Sequence, residues 1–331
     1  MGRLQTESKN FDGALKDFAE AVNDPKLKTS IYFYRAQAKY GLKDISGALD
    51  DYTQFIKLSP NSADAYNNRA KLWSEVNQLD KAIEDYKKAN TLKPNDAVIL
   101  TSLGSARLKK GDLEQAILDF TEALKIEPNL DYALDYRANA KMAQGKIEEA
   151  IEDLDKVLKI NPEYWPSYNK RGDAKLRIKD YEGAIRDFTE SMKYRKWYPQ
   201  SYIGRGDAKV ALKDLEGALK DYLYAADGTA QEPRFASFRG TAYAKAAELS
   251  QRQEKYDKAL VYYHQSLLQD RDNILVYYYR GQILYQLKKS SEAKEDFKKF
   301  LELSKKMAQG SLPSLPQMQS TIFKLFPDLK K

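Results

Sequence analysis

Two ionisable side chains recur along this chain at a spacing that invites a chemical reading. Arginine stands at Arg35, Arg69, Arg137, Arg171, Arg205, Arg239 and Arg280, and aspartate at Asp17, Asp51, Asp85, Asp119, Asp153, Asp187, Asp221 and Asp296. A ladder of planar guanidinium forks would bind phosphates or carboxylates. A structural ion pair repeated at every contact between helices leaves the same trace, and that is the favoured reading. Its register has two solutions, because Leu103 replaces one arginine and Tyr262 one aspartate. If pairing is within one repeat, Asp119 and Arg239 lack partners. If each arginine reaches the preceding repeat, Asp85 and Arg280 do. The second register is the expected one.

Other chemistry is sparse. Cysteine is absent, which excludes disulfides, thiolate catalysis and cysteine-based metal sites. A single histidine, His264, argues against histidine-based zinc sites and most histidine-dependent catalysis. There is no phosphate-binding glycine loop and no nucleophile elbow. Gly204-Arg205-Gly206 falls inside an expected helix and is no dinucleotide turn. Glu148-Glu149 reads as solvated charge. A non-enzyme without metal or cofactor is therefore expected. The net charge of +7, from 55 basic and 48 acidic residues, is a mild bias that a solvated surface explains as well as a polyanion partner does. No apolar run approaches the roughly 20 residues needed to cross a bilayer. No signal peptide follows Met1. A soluble protein is expected, cytoplasmic in preference to one exported with its signal removed.

What must position the repeated charges is itself repeated. Pro60, Pro94, Pro128 and Pro162 are 34 residues apart. With that proline at position 32, the complete units run 29–62, 63–96, 97–130, 131–164, 165–198 and 199–232. Position 20 is always alanine: Ala48, Ala82, Ala116, Ala150, Ala184 and Ala218. Position 8 is Ala or Gly, as in Gly104, Gly172 and Gly206, and position 24 is large, as in Tyr52, Phe120 and Phe188. Each unit carries two helical blocks separated by a turn, marked by Gly111 and Gly145 or by Lys43-Asp44, Lys179-Asp180 and Lys213-Asp214. Small residues let the helices approach, and large ones fill the space beside them.

This pattern resembles the tetratricopeptide repeat, of the Arg-Gly type, over nearly the whole chain. The resemblance implies an all-α, right-handed superhelical solenoid of antiparallel helix pairs, with about nine repeats and a C-terminal capping helix. Residues 1–304 would form one solenoid. Residues 1–28 fit as a truncated repeat, with Gly2 and Phe11 in frame, and an excised fragment explains them better than a degenerate start. Residues 233–273 carry a seven-residue insertion, if Arg239-Gly240 restarts the frame and Ala259 holds position 20. The insertion is expected to lengthen the first helix of that repeat by about two turns and to project past the solenoid edge. Residues 274–304 complete the array, and 305–331 form a linker from Gly310 and a capping helix with Met318, Ile322, Leu325 and Phe326 at helical spacing. A docking helix is the alternative use of that tail.

In such solenoids, positions 2, 5, 6, 9, 12 and 13 line a concave groove, and here they vary widely. Basic residues there include Lys71, Lys109, Lys170, Arg177, Arg234 and Lys245, interleaved with Asp64, Glu75, Asp135, Asp173 and Asp207. A nucleic-acid groove would be one-signed. Aromatics gather at the ends, in Phe33, Tyr34 and Tyr40 and in Tyr278, Tyr279 and Tyr285; Tyr136 and Phe238 also fall in the groove register. Asn67, Asn68, Asn139 and Asn169 could pair with a peptide backbone through a donor and an acceptor. The co-chaperone carboxylate clamp is present only in scattered pieces, since Asn68 has Phe33 and Gln37 before it and Val98 and Ser102 after it. Chaperone C-terminal tails are therefore not the expected partner. The expected function is a non-catalytic scaffold that binds protein or peptide in the groove; the alternatives are an RNA-binding solenoid or a self-assembling adaptor using the long helix and tail.

Overall fold

The computed structural model describes residues 11–21, 27–228, 233–307 and 311–330; Gly2 and Gly310 lie outside them. The described residues are all-α, in antiparallel helix pairs stacked as a repeat solenoid, and fall into two compact units, Met1–Pro162 and Glu163–Lys331. Unit 1 holds α1 (Phe11–Ala21), α2 (Lys28–Gly41), α3 (Ile45–Leu58), α4 (Ala63–Glu75), α5 (Leu79–Leu92), α6 (Ala97–Lys110), α7 (Leu113–Ile126), α8 (Asp131–Ala143) and α9 (Ile147–Ile160). Unit 2 holds α10 (Trp165–Arg177), α11 (Tyr181–Tyr194), α12 (Pro199–Ala211), α13 (Leu215–Asp227), α14 (Ala236–Arg252), α15 (Tyr256–Gln269), α16 (Ile274–Gln286), α17 (Ser290–Ser304) and α18 (Leu315–Leu325).

The framework residues make the pairs. Every position-20 alanine from Ala48 to Ala293 is fully buried. The position-24 ring crosses to the small residue of the facing helix: a methyl on Gly172 would sit 2.9 Å from the Phe188 ring, and one on Gly206 would sit 2.5 Å from that of Tyr222. One turn shape joins every pair. Its left-handed residue is Lys43, Asn77, Gly111, Gly145, Lys179, Lys213, Glu254 or Lys288. Asp44, Asp180 and Asp214 then cap the second helix, each accepting from the backbone N–H three residues on at 2.9 Å. Within each unit the first helices of successive pairs also touch one another, as α4 and α6, α6 and α8, α10 and α12, and α12 and α14 do. They therefore form the inner layer of each stack.

The recurring charges are structural, and their register is the opposite of the expected one. Arg35 pairs with Asp51, Arg69 with Asp85, Arg137 with Asp153, Arg205 with Asp221 and Arg280 with Asp296, always within one repeat and through two parallel bonds of 2.6–2.9 Å. The third nitrogen links repeats: Nη1 of Arg69 donates to Thr53, that of Arg137 to Thr121 and that of Arg205 to Thr189. Tyr32, Tyr66, Tyr202 and Tyr277 lie one turn before their arginines, with the guanidinium 5.3–5.8 Å from the ring centroid. In Arg69 and Arg205 the fork, the ring face and the remaining edge are all occupied, which leaves no group free for a ligand. Asp119 is not left without a partner, because Arg107, one turn beyond Leu103, reaches it at 2.5 Å.

The seven-residue insertion also sits elsewhere than expected. α15 has the ordinary 14 residues, and Glu254 takes the standard turn conformation, so the excess lies at the N-terminal side of the repeat, before and within the first turn of α14. Ala247, not Gly240, packs with Ala259 and Tyr263; Gly240 lies near the Cβ atoms of Gln269 and Asp270. The inserted residues are 233–239: a 3₁₀ turn at Pro233–Phe235 and one extra helical turn at the N-terminal end of α14, which has 17 residues where its counterparts have 13 or 14. The physical reason is register. Seven residues are nearly two helical turns, so either end of the helix satisfies the apolar pattern, and only the short turn into α15 decides. Ala246 then stands at position 7 and Tyr262 at position 23 of the same repeat, so this repeat lacks both partners of the ion pair. Arg239 donates instead to Oε1 of Gln269.

The first and last described helices pack through apolar contacts. Phe18 of α1 is buried against Ile31 and Ala38. Met318 and Ile322 of α18 are buried on Tyr278, Phe297 and Phe300, and Phe326 meets the ring edge of Tyr285. The tail is thus a capping helix over the last pair, which would otherwise expose an apolar face.

Candidate functional site, the inner face of each unit

The inner face of each unit is made of first-helix residues that the framework leaves free to vary. The structure sorts the expected groove positions into two sets. Position 5 is mostly an internal layer: Thr101, Asp135, Asn169, Ile203 and Tyr278 are buried. Positions 6 and 9, one helical turn apart, stay partly open in nearly every repeat.

Asn169 shows why position 5 is withdrawn from a ligand. It is 5% exposed. Its Nδ2 donates to Ser191 at 2.7 Å, and its Oδ1 accepts from Ser201 at 2.6 Å. Ser191 and Ser201 occupy positions 27 and 3, where unit 1 places Ala89 and Ile99 around Asn67. The Oδ1 of Asn67 is accordingly buried without a partner. Phe33 packs its ring edge-on to Tyr34 and Tyr52 and tilted against Phe55, and Tyr278 is buried against Phe297 and Phe300, so both rings are spent on the core. Phe238 lies in the inserted turn and packs on Phe235 and the Tyr202 cluster. It leaves the groove register, as does Arg234.

Position 6 meets the position-24 ring of the preceding repeat, which forms the floor of the inner face. In unit 1 Asn68 lies beside the Tyr52 phenol, and Tyr136, itself exposed, stacks on Phe120 at 5.9 Å. In unit 2 Gly204 covers Phe188, where an added Cβ would lie 2.4 Å from the ring, and Lys245 lies over Tyr222 at 6.0 Å. Lys71 is exposed over the Tyr40 ring at 5.2 Å, and the Tyr40 hydroxyl donates to Glu75. Tyr34, Asn139, Lys170 and Tyr279 are half-buried.

The two units differ in charge at position 9. Unit 1 presents Gln37, Lys71, Ser105 and Asn139; unit 2 presents Asp173, Asp207, Glu248 and Gln282. Asp207 accepts from Lys245 at 2.9 Å and from the Tyr222 hydroxyl at 2.6 Å. Burial pushes the Asp173 carboxyl up to about 6, with the Asp207 charge adding to the shift and Arg177 opposing it. Burial also raises Glu248, against Lys245 and Arg252. Asp207, Tyr222, Lys245, Glu248 and Arg252 line a cleft of about 130 Å³. Glu248 and Arg252 were missed from sequence. The signal was available: Ala247 precedes Gly281, and Tyr243 precedes Tyr277, by the regular 34 residues. Among the described residues no group of three or more Asp, Glu, His or Cys side chains is placed to hold a metal ion. Among the same residues no helix is long and apolar enough to cross a membrane.

Comparisons with known proteins agree with this geometry. Tetratricopeptide-repeat family profiles match residues 31–62, 51–84, 97–130, 138–179 and 275–307. No protein of curated function matches the sequence significantly. Among solved structures, a tetratricopeptide repeat protein from Parabacteroides merdae is 19% identical, with a TM-score of 0.60 over 80% of this chain and 98% of its own. The C-terminal part of a TPR repeat-containing protein from Cytophaga hutchinsonii is 18% identical, with a TM-score of 0.61 over 74% of this chain and 97% of its own. A chain of the APC/C hetero-tetramer Cut9-Hcn1 is 16% identical, with a TM-score of 0.54 over 91% of this chain and 57% of its own. At these identities the likeness is one of fold.

Proposed function

The chain carries tetratricopeptide repeats, a fold that serves protein–protein interaction, and from that premise we propose that it is a non-catalytic scaffold whose inner faces bind segments of a partner protein. The observation that carries the proposal is the contrast between fixed and free positions. Residues that build the pairs recur with period 34, whereas positions 6 and 9 change type from repeat to repeat and remain open. In unit 1 the free positions offer amides, hydroxyls and the exposed Tyr136 ring, a set suited to an extended backbone with an apolar anchor. In unit 2 they offer interleaved Lys170, Asp173, Asp207, Lys245 and Glu248, a set suited to a segment of mixed charge. Residues 1–304 working as one scaffold, in a soluble and cytoplasmic protein, is part of the same proposal. The mixed signs on the inner face argue against a polyanion there.

A comparative pull-down tests it. Wild-type chain and a Tyr136→Ala/Asn139→Ala variant, both with unchanged melting temperatures, are used as bait. The variant is expected to lose a specific subset of the wild-type partners. Recovery of the same partners at the same yield by both baits contradicts it.

A further inference from the structure

The framework proline is replaced at two described turns between helix pairs, by Lys196 after α11 and by Arg271 after α15, and the first of these turns carries exposed rings. The turns after α3, α5, α7 and α9 carry Pro60, Pro94, Pro128 and Pro162; the turn between α11 and α12 carries Lys196 there, followed by Trp197. Trp197 is 49% exposed and Tyr194, just before the turn, is 44% exposed. Neither ring is loose. Trp197 lies flat on Tyr224, with 8° between the planes and 6.1 Å between centroids. Tyr194 lies flat on Tyr168, at 15° and 6.3 Å. The Tyr202 hydroxyl donates to the Lys196 carbonyl at 3.0 Å and holds the turn in place.

Two cations beside the rings lack a carboxylate partner among the described residues. Arg195 and Lys196 are exposed and join no ion pair among the described residues, and the Lys196 ammonium hovers 5.2 Å from the Trp197 centroid. Glu190, the nearby acid, is already held by Lys193 at 2.6 Å. The turn is thus locally cationic although the inner face is not.

Ring attitude decides which polyanion fits. Rings at a bilayer interface sit at headgroup level with an apolar body on one side and a polar end in water. Here each ring is backed by a second, nearly parallel one and presents a flat face. Ring faces beside cations that have no carboxylate partner suit a partner that alternates planar groups with phosphates, provided the Lys196 ammonium swings from the Trp197 ring to a phosphate. We propose that the turn joining α11 and α12 is a contact platform for single-stranded nucleic acid, with bases stacking on Tyr194 and Trp197 and phosphates held by Arg195 and Lys196. It lies outside the inner face, and its failure leaves the scaffold proposal untouched.

The test is fluorescence anisotropy of a labelled oligo(U) 15-mer titrated with the full chain over a range of salt concentrations. Trp197→Ala and Tyr194→Ala are each expected to weaken binding about tenfold and to leave the salt slope unchanged. Arg195→Ala/Lys196→Ala is expected to weaken binding and to flatten the log–log salt slope by about 1.4, roughly 0.7 for each lost phosphate contact. A control, Lys87→Ala/Lys88→Ala on α5, is expected to bind as wild type. Absence of binding at low salt overturns the proposal, as does equal weakening by the control. So does binding of polyglutamate or of phosphatidylserine vesicles through the same four residues in place of the oligonucleotide.

Discussion

Arg107 donates one nitrogen to both carboxylate oxygens of Asp119, at 2.5 and 2.6 Å, from a position one helical turn away from the arginine of every other ion-paired repeat. The other paired aspartates meet their arginine at position 7, and Asp51, Asp153 and Asp221 also meet a lysine at position 11. Where Leu103 has replaced the first cation, Arg107 fills the second place. The carboxylate, not either cation, is the fixed point of the clasp.

Arg107→Ala should therefore destabilise the chain by about 3–5 kcal/mol, because it leaves the buried Asp119 charge without compensation. An Arg107→Ala/Asp119→Asn pair should recover much of that loss. Chemical denaturation followed by circular dichroism measures both. A single variant as stable as wild type would show that solvent reaches Asp119.

Gly204 is a second constrained point. A methyl there would lie 2.4–2.8 Å from three atoms of the Phe188 ring, which is fully buried between two helix pairs. Gly204→Ala should cost about 1–3 kcal/mol through overpacking, and Phe188→Leu in the same chain should relieve part of it. Gly111→Ala meets no atom within 4 Å but must hold φ at +94°, so its cost is backbone strain alone and should be about 1–2 kcal/mol. Thermal melts of the two variants, with and without Phe188→Leu, separate the mechanisms.

Asp173 gives a pH dependence of unusual sign. Its carboxyl is pushed up to about 6 in the folded chain, chiefly by burial. The folded state therefore binds this proton more tightly than the unfolded state, whose Asp titrates near ~3.9. The penalty of the buried charge is fully present above pH about 6 and is relieved as pH falls towards about 4. Asp173→Asn should stabilise the chain at pH 7.5 by about 1–2 kcal/mol, allowing for partial exposure, and the difference should vanish near pH 4. Melting temperatures of both chains across that range check the sign.

Most of the fold was legible because a framework repeated eight times aligns itself. Alanine at position 20, a small residue at position 8 and a large apolar residue or ring at position 24 each reflect one close contact between two helices. Two features resisted. The ion-pair register could not be read from Leu103 and Tyr262, because Arg107 replaced one partner from a neighbouring turn and because the displaced frame hid Ala246 at position 7. The insertion was placed late, since seven residues return the apolar face to nearly the same angle at either end of α14. The inner face was only half legible. Spacing identified the first-helix residues, but whether position 5 faces out or in depends on the next repeat, as Asn169 shows against Ser191 and Ser201. The ring platform at Trp197 was not anticipated, and the missing proline does not single it out, because Arg271 stands at the same position after α15.

The scaffold account is tested most directly by an affinity measured on one face. Peptides are selected from a random display library against the full chain, and the tightest is measured by isothermal titration against wild type, Tyr136→Ala/Asn139→Ala and Asp207→Asn/Glu248→Gln. The account predicts that a selected peptide loses at least tenfold in Kd with one of these inner-face variants and keeps wild-type affinity for Leu118→Ala/Leu268→Ala, which alters exposed outer-helix positions. Equal affinity for both inner-face variants, or a loss confined to the outer-helix variant, would contradict it.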